Sequence, residues 1–232
     1  MILTDDNFAS IAAAVEEGRT VYQNLLKAIG FTLPTNGGEA LIILVGVLFG
    51  TVLPILPLQI LWVNMVSSIT LTAPLAFEPT SKDVMQLPPR NPKEPLLTTR
   101  LARRIIIISL FNLIAVFGTF IWIRQTTGNI ALARTMVVDT LIAAETFYLL
   151  SISQFIPSLF AKLRGKTESI AYTPAIGIIC IVILQTLFSQ WSLMNQLFQT
   201  VPVTFAQEAI SIGASLPIII IVLLLERFDP VR

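Results

Sequence analysis

Residues 39–78 read EALIILVGVLFGTVLPILPLQILWVNMVSSITLTAPLAFE, with an acid at each end and no charged residue between them. A helix that crosses a bilayer needs about 20 mostly apolar residues, so this stretch is too long for one crossing. Gly50, Pro54 and Pro57 cluster at its centre, where a tight turn would place them. The stretch therefore reads as a hairpin of two spanning helices, roughly 28–49 and 58–77.

The rest of the chain divides in the same way. Uncharged or nearly uncharged runs predict further spans at 105–123, 132–153, 172–190 and 207–225. Between the last two lies SQWSLMNQLFQTVP (189–202), polar and aromatic enough for an interfacial loop. The alternative is that the fifth or sixth segment is re-entrant. The fold class is thus all-α, a polytopic bundle of six spans. Composition agrees: 54% of the 232 residues are hydrophobic, 12% are charged, and the mean hydropathy is +0.79. Soluble domains carry about a quarter charged residues. The net charge of +1 gives no reason to expect a nucleic-acid partner, and membrane lipid is the expected surrounding. The absence of histidine and the single Cys180 exclude a histidine or thiolate metal centre and a disulfide framework.

Sidedness follows from the basic residues. With the N-terminus inside, Arg19, Lys27, Lys82, Arg90, Lys93, Arg100, Arg103, Arg104, Lys162, Arg164, Lys166, Arg227 and Arg232 fall on the interior side. Only Arg124 and Arg134 fall outside, a bias of 13 to 2 that matches the positive-inside rule with both termini cytoplasmic.

Residues 1–27 form a different unit. Thr4 or Asp5 is positioned to cap a helix. Phe8, Ile11, Ala12, Val15, Tyr22, Leu25 and Leu26 recur at helical spacing, while Glu16, Glu17 and Arg19 face elsewhere. This amphipathic cytoplasmic helix runs into the first span with no break before Pro34, as a stalk that transmits movement would. A surface anchor is the alternative, but Glu16 and Glu17 would oppose an anionic leaflet.

Three acids, Glu39, Asp139 and Glu145, fall inside the predicted spans. A charge near the bilayer centre costs about 2.5–3.5 kcal/mol on insertion scales, so such acids face a cavity or pathway, or else a neighbouring helix in neutral form. Glu39, Ser68 and Glu145 lie near mid-span. Asn36 lies three residues before Glu39, and Asn64, Ser67 and Ser68 share a second face. Converging oxygens at that depth suit a dehydrated cation. Asp139 is nearer the outer interface and about 120° around the helix from Glu145. Pro34, Gly37 and Gly38 would loosen the first span, and a carbonyl freed there either binds a ligand or marks a packing kink; its coincidence with Asn36 and Glu39 favours the ligand.

Four segments carry a family resemblance. LTDDNFASIAAAVEEGRTVYQN (3–24) resembles the stalk that leads into the fifth membrane helix of P-type cation-transporting ATPases. TNGGEA (35–40) looks like the cation motif of that helix. LPLQILWVNMVSS (56–68) resembles the sixth helix, and LAFEPTSKDVMQLPPRNPKEPLL (75–97) the loop after it. The calcium- and sodium-pump branch is the nearest. The resemblance is specific to about residue 100 and looser beyond, where six spans match helices five to ten. It implies that Asn36, Glu39, Asn64 and Ser67 are cation ligands, with Glu145 at the acid ligand of the eighth helix. Ser68 stands where this branch has aspartate, which leaves calcium, sodium, proton or another cation open as the transported ion.

Further expectations follow from that resemblance. DKTG, TGES and GDGxNDxP do not occur, and neither the nucleotide-binding domain nor the first four membrane helices can be recognised. The chain is expected to be a C-terminal piece of a pump from a prokaryotic plasma membrane, through a split or truncated gene or as a fragment. Its partner would be the missing catalytic half. It would hold no catalytic residue and no cofactor, and would not hydrolyse ATP alone; the complete pump would use ATP and magnesium. The alternative is a stand-alone membrane binding or regulatory protein derived from such a pump. A secondary transporter is disfavoured, because the two three-helix halves show no inverted repeat.

Overall fold

Water cannot satisfy backbone groups at membrane depth, so long apolar runs must form helices, and the architecture follows from that requirement. A computed structural model describes residues 8–80, 84–86, 88, 97–165 and 170–228. Among these described residues, six helices are long and apolar enough to cross a membrane, and the protein is an integral membrane protein. The expected caps Thr4 and Asp5 lie outside the described residues.

The first helix, α1 (Phe8–Leu48), is continuous for 41 residues. At 1.5 Å per residue it is about 62 Å long, twice the thickness of a hydrocarbon core of about 30 Å. It ends at Gly50, whose φ of 58° is left-handed and suits a residue without Cβ. The second span comprises α2 (Pro57–Ser67), a π-helical turn at Ser68–Thr72 and α3 (Ala73–Ala76). The third is α4 (Thr99–Thr127), capped by Thr98 and closed by left-handed Gly128. The fourth is α5 (Ile130–Ile152) and the fifth is α7 (Tyr172–Gln190). The sixth combines α9 (Phe205–Ser215) and α10 (Pro217–Phe228).

Two connections are more ordered than the sequence led us to expect. A short helix, α6 (Phe155–Leu163), follows the fourth span. The segment read as an interfacial loop at 189–202 contains α8 (Ser192–Phe198). There Phe198 is buried against Trp62 and Phe188, and Gln59 donates to its carbonyl at 2.8 Å. Phe198 of that loop thus fills the bundle end, whereas Trp191 is exposed.

The α5 helix is the central pillar, with 14 of its 23 residues buried. A helix that is apolar nearly all round belongs inside a bundle. Arg104, read from the sequence as lying just before the third span, is buried within α4 and pairs with Glu226 of α10 at 2.5 Å. That pairing satisfies a charge that could not otherwise stay buried.

The proline in α1 has a packing explanation. Pro34 has no N–H, so the carbonyl of Gly30 loses its helical donor. Tyr148 of α5 supplies a replacement, its hydroxyl donating to Gly30 O at 2.5 Å. Ser109 of α4 donates to the carbonyl of Pro34 itself at 3.0 Å. This corrects the expectation that a freed carbonyl here serves a ligand: a tyrosine already occupies it. Tyr148→Phe should therefore cost about 1–3 kcal/mol, the cost of an unsatisfied buried carbonyl. Thermal unfolding in detergent measures it, and an unchanged midpoint would rule out this role for Tyr148.

Gly37 and Gly38 likewise serve packing more than flexibility. A Cβ on Gly37 would meet Ser109 Oγ at 2.6 Å, and one on Gly38 would meet the Asn112 side chain at 2.8 Å. Small residues at such a crossing bring two membrane helices close together.

Candidate cation site

The first two spans and α5 meet around Glu39. That residue projects from α1, is only 4% exposed, and its Oε2 accepts a hydrogen bond from Asn64 Nδ2 of α2. Glu145 of α5, 2% exposed, lies close enough to interact with the charge on Glu39, and the Ser67 hydroxyl of α2 faces it. One oxygen of each acid, Glu39 Oε1 and Glu145 Oε2, is buried without a hydrogen-bond partner. Buried polar atoms are nearly always satisfied. Two orphaned carboxylate oxygens in one cluster are chemically able to take a proton donor or a cation.

Four of the six residues singled out in the sequence thus come together: Glu39, Asn64, Ser67 and Glu145. Asn36 and Ser68 are exposed. Asn36 shares a helix with Glu39, but three positions still leave 60° between side chains, enough to turn one inward and the other out. Ser68 follows buried Ser67 by one position and faces about 100° away. Among the described residues, no group of three or more His, Cys, Asp or Glu is arranged to hold a metal ion. Any cation here must draw on amide and hydroxyl oxygens as well as the two acids.

Sequence reasoning missed two features beside this cluster. Asn112 of α4, 1% exposed and with both amide atoms unpartnered, packs against Gly38. A lone asparagine inside the apolar run FNLIAVF (111–117) was the available signal. The other is the π-helical turn that begins at Ser68, where Ala73 N–H donates to Ser68 O. Pro74 lies just beyond it and cannot donate to Thr70 O, which favours a wider turn there. Gly177 of α7 sits directly against that Thr70 carbonyl.

The long α1 helix is anchored just beyond the site. Lys27 pairs with Glu78 at 2.7 Å, and the other oxygen of Glu78 accepts from Gln154 N at 2.8 Å. Asn24 donates to the carbonyl of Glu78 at 2.8 Å, Thr20 meets Thr80 at 3.0 Å, and Arg19 reaches Val84 O at 2.9 Å. One face of α1 is thus tied to the segment that leaves the second span.

Residues 52–228 match the family model described as cation transporting ATPase, C-terminus. The chain belongs to the C-terminal region of the P-type cation-transporting ATPases. It is 53% identical over 232 residues, 99% of its length, to a cation-transporting ATPase of Synechocystis, of which it covers 26%. A probable cation-transporting ATPase F of Mycobacterium bovis is 40% identical over 88% of the chain, which covers 22% of that protein. A calcium-transporting ATPase of Bacillus subtilis is 30% identical over 93% of the chain, which covers 24% of it. The chain therefore spans about a quarter of the length of the curated relatives it matches. Glu145, Asn64 and Ser67 lie within the matched residues, and Glu39 lies in the part of the chain that aligns with the Synechocystis relative.

Proposed function

We propose that the chain is the ion-translocating membrane domain of an ATP-driven cation pump, with Glu39, Asn64, Ser67 and Glu145 forming the part of the transported-ion site that it contributes. The observation that carries this reading is the orphaned oxygen on each of Glu39 and Glu145, buried on two helices whose acids interact. Asn36 and Ser68 complete the site, against a surface supplied by the rest of the pump. Ser68 brings a neutral hydroxyl, so the site holds at most two negative charges and suits one cation per cycle or a weaker preference for divalent ions.

The remainder of the machine would supply phosphorylation, using ATP and magnesium. The α1 helix is the stalk that carries its movement to Glu39, and the bonds from Arg19, Thr20, Asn24 and Lys27 to Val84, Thr80 and Glu78 pass the same movement to the second span. Vesicles holding the complete pump should show ATP-dependent uptake of at least one of calcium, sodium or protons. Glu39→Gln combined with Glu145→Gln should abolish it. Uptake that survives the double substitution would place the ion elsewhere. The chain alone should form no acid-stable phosphoenzyme from labelled ATP.

The proposed orientation puts both termini in the cytoplasm. In a bacterial host, reporter fusions after Arg104 and Lys166 should read as cytoplasmic, and those near Pro54, Gly128 and Asn195 as external. The hydrogen bond from Arg134 to Leu53 O at 3.2 Å, which brings the connections before the second and the fourth spans to one end of the bundle, supports assigning them to the same side. A cytoplasmic signal at Asn195 would refute the topology.

A further inference from the structure

A chain of polar contacts leads from the last span to the proline break in α1. Glu226 of α10, its side chain 33% exposed, pairs with the guanidinium of Arg104 in α4. Arg104 is buried and also faces the hydroxyl of Tyr148 in α5. That hydroxyl donates to Gly30 O of α1 at 2.5 Å. Helices α10, α4, α5 and α1 are joined in this way by groups that lie outside the Glu39, Asn64, Ser67 and Glu145 set.

The chemistry of the groups fixes the direction of each bond. A guanidinium carries only donors, so Arg104 offers N–H groups both to Glu226 and to the Tyr148 oxygen. The single phenolic hydrogen is then left for Gly30 O, the carbonyl that Pro34 deprives of its helical donor. Glu226 supplies the counter-charge, without which a buried guanidinium is strongly unfavourable. Removing that carboxylate charge drives Arg104 toward other acceptors, and the Tyr148 hydroxyl loses the donor that orients it. The tyrosine ring is held separately, stacked on Phe31 with centroids 5.6 Å apart.

The position of the Gly30–Tyr148 bond gives it a consequence for the acids. Gly30 lies nine residues before Glu39 in α1, and Tyr148 lies three residues after Glu145 in α5, about 60° around the helix. The bond therefore joins the two helices that carry the acids, where α1 has lost a backbone bond of its own. It restrains the sliding and tilting of α1 against α5, and with them the separation of the two carboxylates. A binding constellation must be held to within about 0.5 Å.

On the proposed assignment of Glu39 and Glu145 to the transported ion, we infer that Glu226 and Arg104 are positioning residues for that site. Acting through the Tyr148 hydroxyl, they hold Glu39 in register with Glu145. Ion affinity thus depends on a carboxylate in the last span.

Cation-stimulated ATP hydrolysis by the complete pump tests this role. Glu226→Gln should raise the cation concentration for half-maximal activation by about 3- to 10-fold while the maximal rate stays within about twofold. Tyr148→Phe should give a shift of similar size. The double variant should be no worse than Tyr148→Phe alone, because both substitutions act through one bond, whereas independent losses would multiply. If Glu226→Gln yields no active pump, Tyr148→Phe decides alone. Glu39→Gln belongs in the same series. If it moves half-activation while Glu226→Gln or Tyr148→Phe stays within about twofold of the parent, the positioning role is overturned and the ion site stands. A double variant whose shift is the product of the two single shifts also overturns it. If Glu39→Gln leaves half-activation unmoved, the site assignment fails and the positioning role falls with it.

Discussion

In a complete pump carrying this chain, Glu39→Gln should raise the cation concentration for half-maximal activation by about 10- to 100-fold, since affinity follows ligand charge and number. Asp139→Asn should leave that concentration within about threefold of the parent value. The contrast rests on geometry. Glu39 shares its cluster with Glu145, Asn64 and Ser67, whereas Asp139 is bound to Gln185 and faces Glu208. Gln at position 39 keeps the volume and can still hydrogen-bond to Asn64, so the fold should persist while one charge is lost. Cation-stimulated ATP hydrolysis measured over a range of ion concentrations reads both variants. Activation of the Gln variant at the parental concentration would make Glu39 a structural acid.

The second large effect concerns packing. Gly177→Ala should destabilise the chain by about 1–3 kcal/mol, the usual cost of forcing a methyl group into a filled interior. The added Cβ would collide with the Thr70 carbonyl and approach Pro74 Cγ at 2.9 Å. Because the obstacle includes backbone, side-chain rotation cannot relieve it. The π turn beginning at Ser68 would have to move, and Ser67, which faces Glu145, immediately precedes it. Loss of stability should therefore be accompanied by weaker ion activation. Gly213→Ala is the control, since nothing lies within 4 Å of its added methyl group. Equal melting midpoints for the two variants would mean that α7 does not rest on the second span in this way.

How much of this was legible in the sequence depends on the kind of interaction. The six helices follow from charge spacing, because the bilayer imposes one length on every apolar run. The grouping of Glu39 with Asn64, Ser67 and Glu145 was legible because acids and amides are too costly at that depth to occur without a partner or a ligand. The inward turn of Glu39 against the outward turn of Asn36 was not legible. Three helical positions leave a rotational difference that only neighbouring helices resolve. Pro34 was misread for a related reason. Its lost hydrogen bond can be seen in the sequence, but the Tyr148 hydroxyl that restores it comes from a residue 118 positions away from Gly30. Asp139 was separated from Glu145 by its depth and by helical angle. Its pairing with Glu208 required knowing that α9 packs beside α5.

The most direct measurement of the cation-site assignment is an infrared difference spectrum of the complete pump with and without the transported ion, recorded for the parent and for Glu39→Gln and Glu145→Gln. If the ion binds at the orphaned oxygens of these two acids, its addition should shift carboxyl bands in the parent, and each substitution should remove its own share of the difference. Carboxyl bands that respond to the ion identically in all three proteins would contradict the assignment.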